Sequence, residues 1–466
     1  MANLDDLPDE LILNILHRIT SDKADQTALA GFTRVAKKWR PVAEEVLYHA
    51  PILPIGLDHH GAVMQFLRAL IKNAKLANFV HHLVLPITKR LHNDESECQD
   101  QQCVHGLEDL KADIDRLVGF DYKLCTQVEG EREISIDGKI DGQTMPACYF
   151  EPSLGGLILG LLPNLKTLDM QTYQEPFGPD EHGKLPPRIT ETTVQDWFSA
   201  QSSQVGDNAV SGLAGLQHLT CEEITDFDFF RGPNLTSLEL KWDTYLGANP
   251  IAAPVPAVIS TSITSIHLEM TIQMLDGRRC IRSEYLHALL QGLPALREIS
   301  VFLSYPERHS HLDFEDRDDL GWDSIIEALK HAAPTLEELF VDVEVPFTDE
   351  SVSTRARSIA TSLRDYKFDR LKRLRIPNEA LCSVQMSHRV DTVDALPLGL
   401  ETIEVVDPDY RTLVWVDALT VRKCEGNHTA LRAVALRQRD FVEAAQVWSD
   451  AEEEGISIIR AVLPTH

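Results

Sequence analysis

The sequence predicts an α/β chain in two parts: a three-helix module over residues 1–50, then an irregular stack of repeats over 51–466. Three observations predict it. Apolar residues of the first fifty positions recur at helical spacing. A triplet of apolar residues at offsets 0, 3 and 5 then returns nine times. Between copies lie stretches with a 3.6-residue period of their own.

Asp5 and Asp6 are placed to cap a first helix whose opening turn holds Pro8, Asp9 and Glu10. Proline is tolerated there, and carboxylates favour the positive end of the helix dipole. Leu11, Ile12, Ile15, Leu16 and Ile19 form one apolar face. The polar run Thr20 to Asp25 breaks the pattern before a second helix carrying Leu29, Phe32, Val35, Ala36 and Trp39. Pro41 suits the first turn of a third helix with Val42, Val46 and Leu47. Three helices in about fifty residues barely bury a core alone, so leftover apolar surface is expected to meet a partner.

The triplets are Val80-Leu83-Leu85, Leu165-Leu168-Met170, Leu216-Leu219-Cys221, Leu235-Leu238-Leu240, Ile263-Ile266-Leu268, Leu296-Ile299-Val301, Leu336-Leu339-Val341, Leu371-Leu374-Ile376 and Leu400-Ile403-Val405. The last two positions of each alternate with polar residues, which is strand periodicity. Helical faces lie between them: Val63, Phe66, Leu67, Leu70, Ile71 and Ala74; Tyr285, Leu286, Leu289, Leu290 and Leu293; Ile325, Ile326 and Leu329. Pro163, Pro294 and Pro334 sit just before their triplets, where proline stops a helix. Strand alternating with helix in this way resembles a leucine-rich-repeat solenoid, with a parallel concave sheet and outer helices. A general α/β domain would keep the strands without requiring one curved stack. Successive triplets begin 85, 51, 19, 28, 33, 40, 35 and 29 residues apart, and the Asn usual after the triplet is missing from most copies, so the repeats are degenerate.

Residues 88–150 carry no triplet and read as an inserted loop or hairpin, with a short β-like run at Glu133 to Asp137. Gln174 to Pro187 and the uncharged stretch leading to Leu268 read as loops, the latter running into a strand. Over 427–466 a C-terminal cap is expected. In it Leu431, Val434, Phe441, Ala445 and Trp448 line one face of a long helix, followed after Gly455 by an apolar run.

The formal charge is −28, of which the first fifty residues contribute −2, so −26 belongs to the repeats. That balance argues against nucleic acid or an anionic membrane as the main ligand. The start, Met1 to Asp6, lacks a basic n-region, and the eight cysteines are scattered, which fits reduced thiols in a cytoplasmic or nuclear protein. No phosphate-binding, dinucleotide, nucleophile-elbow or zincin motif occurs. Cys98, Cys103 and His105, with His92, lack the spacing of a zinc knuckle. The run Asp316 to Glu327 has Leu320 where a calcium loop needs an oxygen. No metal, cofactor or catalytic residue is expected.

Leu7-Pro8-x-Glu10-Leu11, Ile15-Leu16 and Val35-x-Lys37-x-Trp39-Arg40, with the run Pro41 to Tyr48, resemble the F-box. The resemblance covers about 45 residues. An F-box followed by leucine-rich repeats resembles the fungal-type substrate receptors of Skp–cullin–F-box ubiquitin ligases. It implies that Leu7, Pro8, Leu11, Ile15, Leu16, Leu29, Val35 and Trp39 contact a Skp-type adaptor and, through it, a cullin. It also implies that the repeats hold the protein to be ubiquitylated, and that the receptor performs no chemistry. A scaffold that recruits the adaptor without degradation, and a repeat protein with a merely helical cap, are the other readings.

Strand alternation places offsets 2, 4 and 6 of each triplet on the concave side. These are the acids Asp169, Glu222, Glu239, Glu269, Glu298, Glu338, Asp342 and Glu404, the cations Lys241, Arg373 and Arg375, and the rings Phe302 and Phe340. The acids favour a basic segment of the target, the two rings its apolar residues, and the arginine pair an acidic or phosphorylated one. A charged strand face that serves solubility alone is the competing reading.

Overall fold

The computed structural model describes residues 8–17, 23–35, 39–53, 60–88, 126–128, 132–134, 139–140, 143–144, 158–173, 211–222, 230, 232–243, 258–271, 274–275, 278–279, 283–304, 327–344, 363, 365–381, 393–394, 396–438 and 445–462. The chain divides into two compact units, Met1–Glu222 with Asp228–Leu235, and Glu223–Phe227 with Thr236–His466. Eleven strands run parallel to their sheet neighbours in sequence order, three in the first unit and eight in the second.

The first unit opens with helices α1 (Asp9–His17), α2 (Lys23–Val35) and α3 (Arg40–His49). Their shared core is Ile12, Leu16, Leu29, Trp39, Ala43 and Val46, with Leu13, Phe32, Val42 and Leu47 packed around it. Trp39 does not extend the second helix, as its spacing suggests. It is the residue before α3, and its ring stacks on Phe32 at 6.1 Å between centroids. Helix α4 (His60–Lys72) buries Val63, Phe66, Leu67, Leu70 and Ile71. Ala74, expected on that face, is exposed and instead begins the short helix α5 (Ala74–Ala77). The module is tied to the first repeat. Tyr48 stacks on Phe66 at 6.0 Å, the His81 N–H donates to the His49 carbonyl, and Ile52 bridges Val84 of β1 (His82–Thr88).

The strands β2 (Thr126–Val128), β3 (Arg132–Ile134), β4 (Lys139–Ile140) and β5 (Gln143–Thr144) pair antiparallel with one another and add nothing to the parallel ladder. β6 (Thr167–Tyr173) lies between β1 and β7 (His218–Glu222), with Leu168 opposite both Leu83 and Leu219. The loop expected from Gln174 lies outside the described residues.

In the second unit the ladder runs β8 (Ser237–Asp243), β9 (Ser265–Thr271), β12 (Glu298–Ser304), β13 (Glu338–Glu344), β14 (Arg373–Pro377), β15 (Thr402–Val406), β16 (Ala433–Gln438) and β17 (Ser457–Val462). A small hairpin, β10 (Met274–Leu275) with β11 (Arg278–Arg279), stands apart. The register aligns equivalent triplet positions. Leu238, Ile266, Ile299, Leu339, Leu374, Ile403, Val434 and Ile458 form one row. All three apolar residues of each of the nine triplets are buried. Offset 0 packs beneath the strand start, and offsets 3 and 5 point into the core because strand side chains alternate.

The turn into each strand is held by the backbone. The carbonyl of Thr264 accepts from both Arg297 and Glu298, that of Arg297 from Glu337 and Glu338, that of Glu337 from Lys372 and Arg373, and that of Lys372 from Glu401 and Thr402. One carbonyl thus satisfies two donors of the next repeat, where an unpaired buried N–H would cost free energy. The helix Ser283–Gln291 buries Leu286, Leu289 and Leu290. Its C-terminal Gly292 accepts from the N–H groups of Ile259 and Ser260, and a Cβ there would fall 2.3 Å from the Ile259 side chain. Gly292→Ala is therefore expected to cost about 1–3 kcal/mol by overpacking, read as a lower urea midpoint.

The long C-terminal helix is not formed. Residues 433–438 are β16, and the helix there is only Ala445–Glu453. Ala433, Ala435, Arg437 and Gln438 are poor strand formers, which made a helix plausible on propensity. Pairing of Val434 with Ile403 and Leu436 with Val405 overrides that preference. Leu431, Val434 and Leu436 are in fact a tenth triplet, all buried.

Candidate functional site

Two surfaces carry the residues singled out from sequence, one in each unit. In the helical module, burial separates the eight positions. Leu16, Leu29 and Trp39 belong to the core and hold the three helices together. Pro8, Leu11 and Ile15 lie outside it, with Leu11 49% and Ile15 46% exposed. Spacings of three and four residues stack these three along one face of α1. Ile12 and Leu16, about a quarter-turn further round the helix, are buried, so the apolar arc of α1 extends beyond the part that the module core covers. Leu7 and the Val35 side chain lie outside the described residues. Leu11 and Ile15 stand one turn apart on one helix, whereas the other large exposed apolar residues described, Val258, Leu398, Val421 and Ile459, come from separate elements.

In the second unit, the sheet face turned from the core carries Glu239, Lys241, Glu269, Glu298, Phe302, Glu338, Phe340, Asp342, Arg373, Arg375 and Glu404, all on one side of their strands and most of them half-buried. Asp169 and Glu222 belong to the first unit. Asp169 accepts a 2.8 Å hydrogen bond from Gln171 Nε2, and the side chain of Glu222 lies outside the described residues.

The carboxylates of this face do not form an open acidic field. Lys241 Nζ lies 3.5 Å from Glu239 and 3.9 Å from Glu269. Arg373 Nη1 donates to Glu338 at 2.9 Å. Glu404, only 15% exposed at its side chain, is shared between Arg375, at 2.8 Å, and Arg437 of β16. The Arg375 approach is a close ion pair outside hydrogen-bond alignment. Spacing along the sequence does not point to Arg437, because local propensity there favours helix and only the ladder makes it part of β16. The register puts it diagonally across from Glu404, on the adjoining strand. Among the described residues Glu298 has no ion-pair partner.

Phe340 is likewise not a bare anchor. The guanidinium carbons of Arg373 and Arg375 lie 5.3 and 5.0 Å from its ring centroid. Phe340 pairs with Arg375 across the ladder, and Arg373 is the diagonal neighbour, so strand spacing alone brings both cations over the ring. The arrangement is a stacked core of Phe340 and two arginines, pinned by Glu338 and Glu404. Phe302, half-buried beside Glu269 and Asp342, is the apolar side chain of this face without such a cover. Glu404→Gln should leave Arg375 and Arg437 facing each other with the carboxylate they share neutralised. A loss of about 1–3 kcal/mol is expected in urea unfolding, larger at low salt than at high salt.

No three His, Cys, Asp or Glu side chains among the described residues are grouped to hold a metal ion. The cysteines and histidines near residue 100, and residues 316–326, lie outside the described residues. Glu327, the last position of the calcium-like run, is exposed and paired with Lys330 at 2.9 Å, and that ammonium holds its carboxyl below the usual range. Cys221 is buried as the third member of its triplet, which makes it a packing residue. No described helix is long and apolar enough to cross a membrane. Neither a protein-family model nor a curated protein matches the chain.

Proposed function

We propose that the chain is a non-catalytic substrate receptor of a Skp–cullin–F-box ubiquitin ligase. Its helical module binds the Skp-type adaptor, and its repeats hold the target protein. The observation that carries the reading is the apolar stripe Pro8, Leu11 and Ile15, left exposed beside the adjoining residues Ile12 and Leu16 that already fill the module core. A mere helical cap would turn its apolar residues inward, whereas an exposed stripe on so small a module calls for a partner. Recruitment would act by raising the effective concentration of a target lysine near a charged conjugating enzyme.

Co-purification tests the first half: the full chain should retain a Skp-type adaptor, and a chain lacking residues 1–50 should not. Proteasome-dependent turnover of a captured partner tests the second half and separates a degradation receptor from a scaffold. For the target, the cation pairing leaves Glu298 and the ring of Phe302 as the groups of this face best placed for a basic segment with an apolar side chain. Glu298→Lys should weaken capture by about three- to tenfold at low salt and less at high salt, with adaptor binding unchanged. Equal capture by the variant would place the target elsewhere.

A further inference from the structure

In the second unit, the sheet face turned from the core changes sign along the strand order. On β9, β12 and β13 it carries Glu269, Glu298 and Asp342, and the ladder sets Glu269 and Asp342 on either side of Phe302. Lys241 lies 3.9 Å from Glu269, and Glu298 has no ion-pair partner among the described residues. On β14 and β16 the charges are Arg373, Arg375 and Arg437. Glu338 matches Arg373, so Arg375 and Arg437 share the single carboxylate of Glu404 and keep one positive charge in surplus. Both reach Glu404 through Nε, and among the described residues nothing accepts from their Nη groups. The Arg437 side chain is 37% exposed, which leaves room for a ligand at that end.

We propose, on the reading that the repeats hold the target, that the bound segment carries both signs of charge and lies extended across the strands. Its basic residue sits over Glu298, and a carboxylate about four residues away sits on the Nη groups of Arg375 and Arg437. The spacing follows from the sheet. Between β12 and β15 lie three strand spacings of about 4.8 Å, about 14 Å in all. An extended chain covers that in about four residues at about 3.3–3.6 Å each. A guanidinium donates two parallel N–H bonds to a carboxylate, and one surplus positive charge matches one such monoanion. An apolar residue beside the basic one packs on the ring of Phe302. The same polarity rejects a uniformly basic segment, which would set a cation against Arg437, although the chain carries −28 overall.

The test is selection on the full chain, at low salt, from displayed segments of about ten residues randomised over Lys, Asp, Glu, Ser, Leu and Phe. The expected consensus has a basic and an acidic position about four residues apart, with an apolar residue beside the basic one. A synthetic peptide of that consensus should lose about three- to tenfold in affinity, by fluorescence anisotropy, when either its lysine or its glutamate becomes glutamine. Arg437→Gln should erase the preference for the acidic position alone, and Glu298→Lys that for the basic position alone. Both side chains are only half-buried, and the two peptide substitutions read the same contacts on the unaltered chain should either variant fold poorly. Four outcomes overturn the proposal: no enrichment, both charges at no fixed spacing, preferences unchanged in both variants, or a consensus of basic residues alone. The last would leave the plain basic-segment reading in place. Adaptor co-purification is read separately, so failure of the helical module as an adaptor site and failure of this face as a two-signed site are told apart.

Discussion

Replacing Leu11 and Ile15 together by glutamate should abolish capture of a Skp-type adaptor while the helical module stays folded. Both side chains are about half exposed, and neither belongs to the core of Ile12, Leu16, Leu29, Trp39, Ala43 and Val46. Their removal therefore takes little from folding, and charge on an exposed helix face is tolerated. At an interface the same change is severe. Buried apolar anchors typically cost about 2 kcal/mol or more each when truncated, and burying an unpaired carboxylate in their place adds to that. A loss of at least about a thousandfold in affinity is the expected readout, measured by calorimetry against purified adaptor. Leu16→Ala provides the contrast. It should lower the thermal stability of the module, because Leu16 is a core residue, and should reduce adaptor binding only in proportion to the unfolded fraction. Unchanged capture by the folded Leu11/Ile15 double variant would remove the reading of this module as an adaptor-binding element.

The distinction between Leu11 and Ile12 marks what the sequence could not resolve. Both sit in a run apolar on most of its circumference, and spacing alone does not say which side meets α2 and α3. The repeats were far more legible. Each triplet commits three apolar residues to one side and alternates the last two with polar ones, a pattern hard to satisfy except as a strand with its start tucked inward. The parallel order is legible where a helical stretch separates two triplets, as Ser283–Gln291 separates those beginning at Ile263 and Leu296. The tenth triplet was hidden by its own company. Ala433, Ala435 and Arg437 favour helix locally, and only the ladder beside β15 makes them a strand. The charge pairing on the sheet face was hidden for a different reason. Arg375 and Glu404 are 29 residues apart, Glu404 and Arg437 33 apart, and irregular repeat lengths give no way to align them before the register is known. A row of acids read position by position therefore looked like an anionic surface, whereas cross-strand neighbours neutralise much of it.

Leu339→Ala should be a costly core substitution in the second unit. Leu339 is fully buried at the middle position of its triplet, flanked across the ladder by Ile299 and Leu374, themselves buried. Removing its branched end leaves a cavity that rigid strands on both sides cannot close, because their spacing is fixed by backbone hydrogen bonds. A loss of about 3–5 kcal/mol is expected from burial and cavity terms together. The effect should not stop at one repeat. In a stack of nearest neighbours each interface contributes to the stability of the next, so weakening β13 loosens its pairing with both β12 and β14. Hydrogen exchange should then accelerate most at the amides of Glu337, Glu338, Lys372 and Arg373, which donate across those two junctions, and least in the helical module. Ser300→Ala, on the opposite face of the adjoining strand, should stay within about 0.5 kcal/mol in the same urea titration. A Leu339→Ala variant that loses less than about 1 kcal/mol, or whose exchange rises equally along the whole chain, would show that the strands are not coupled repeat by repeat.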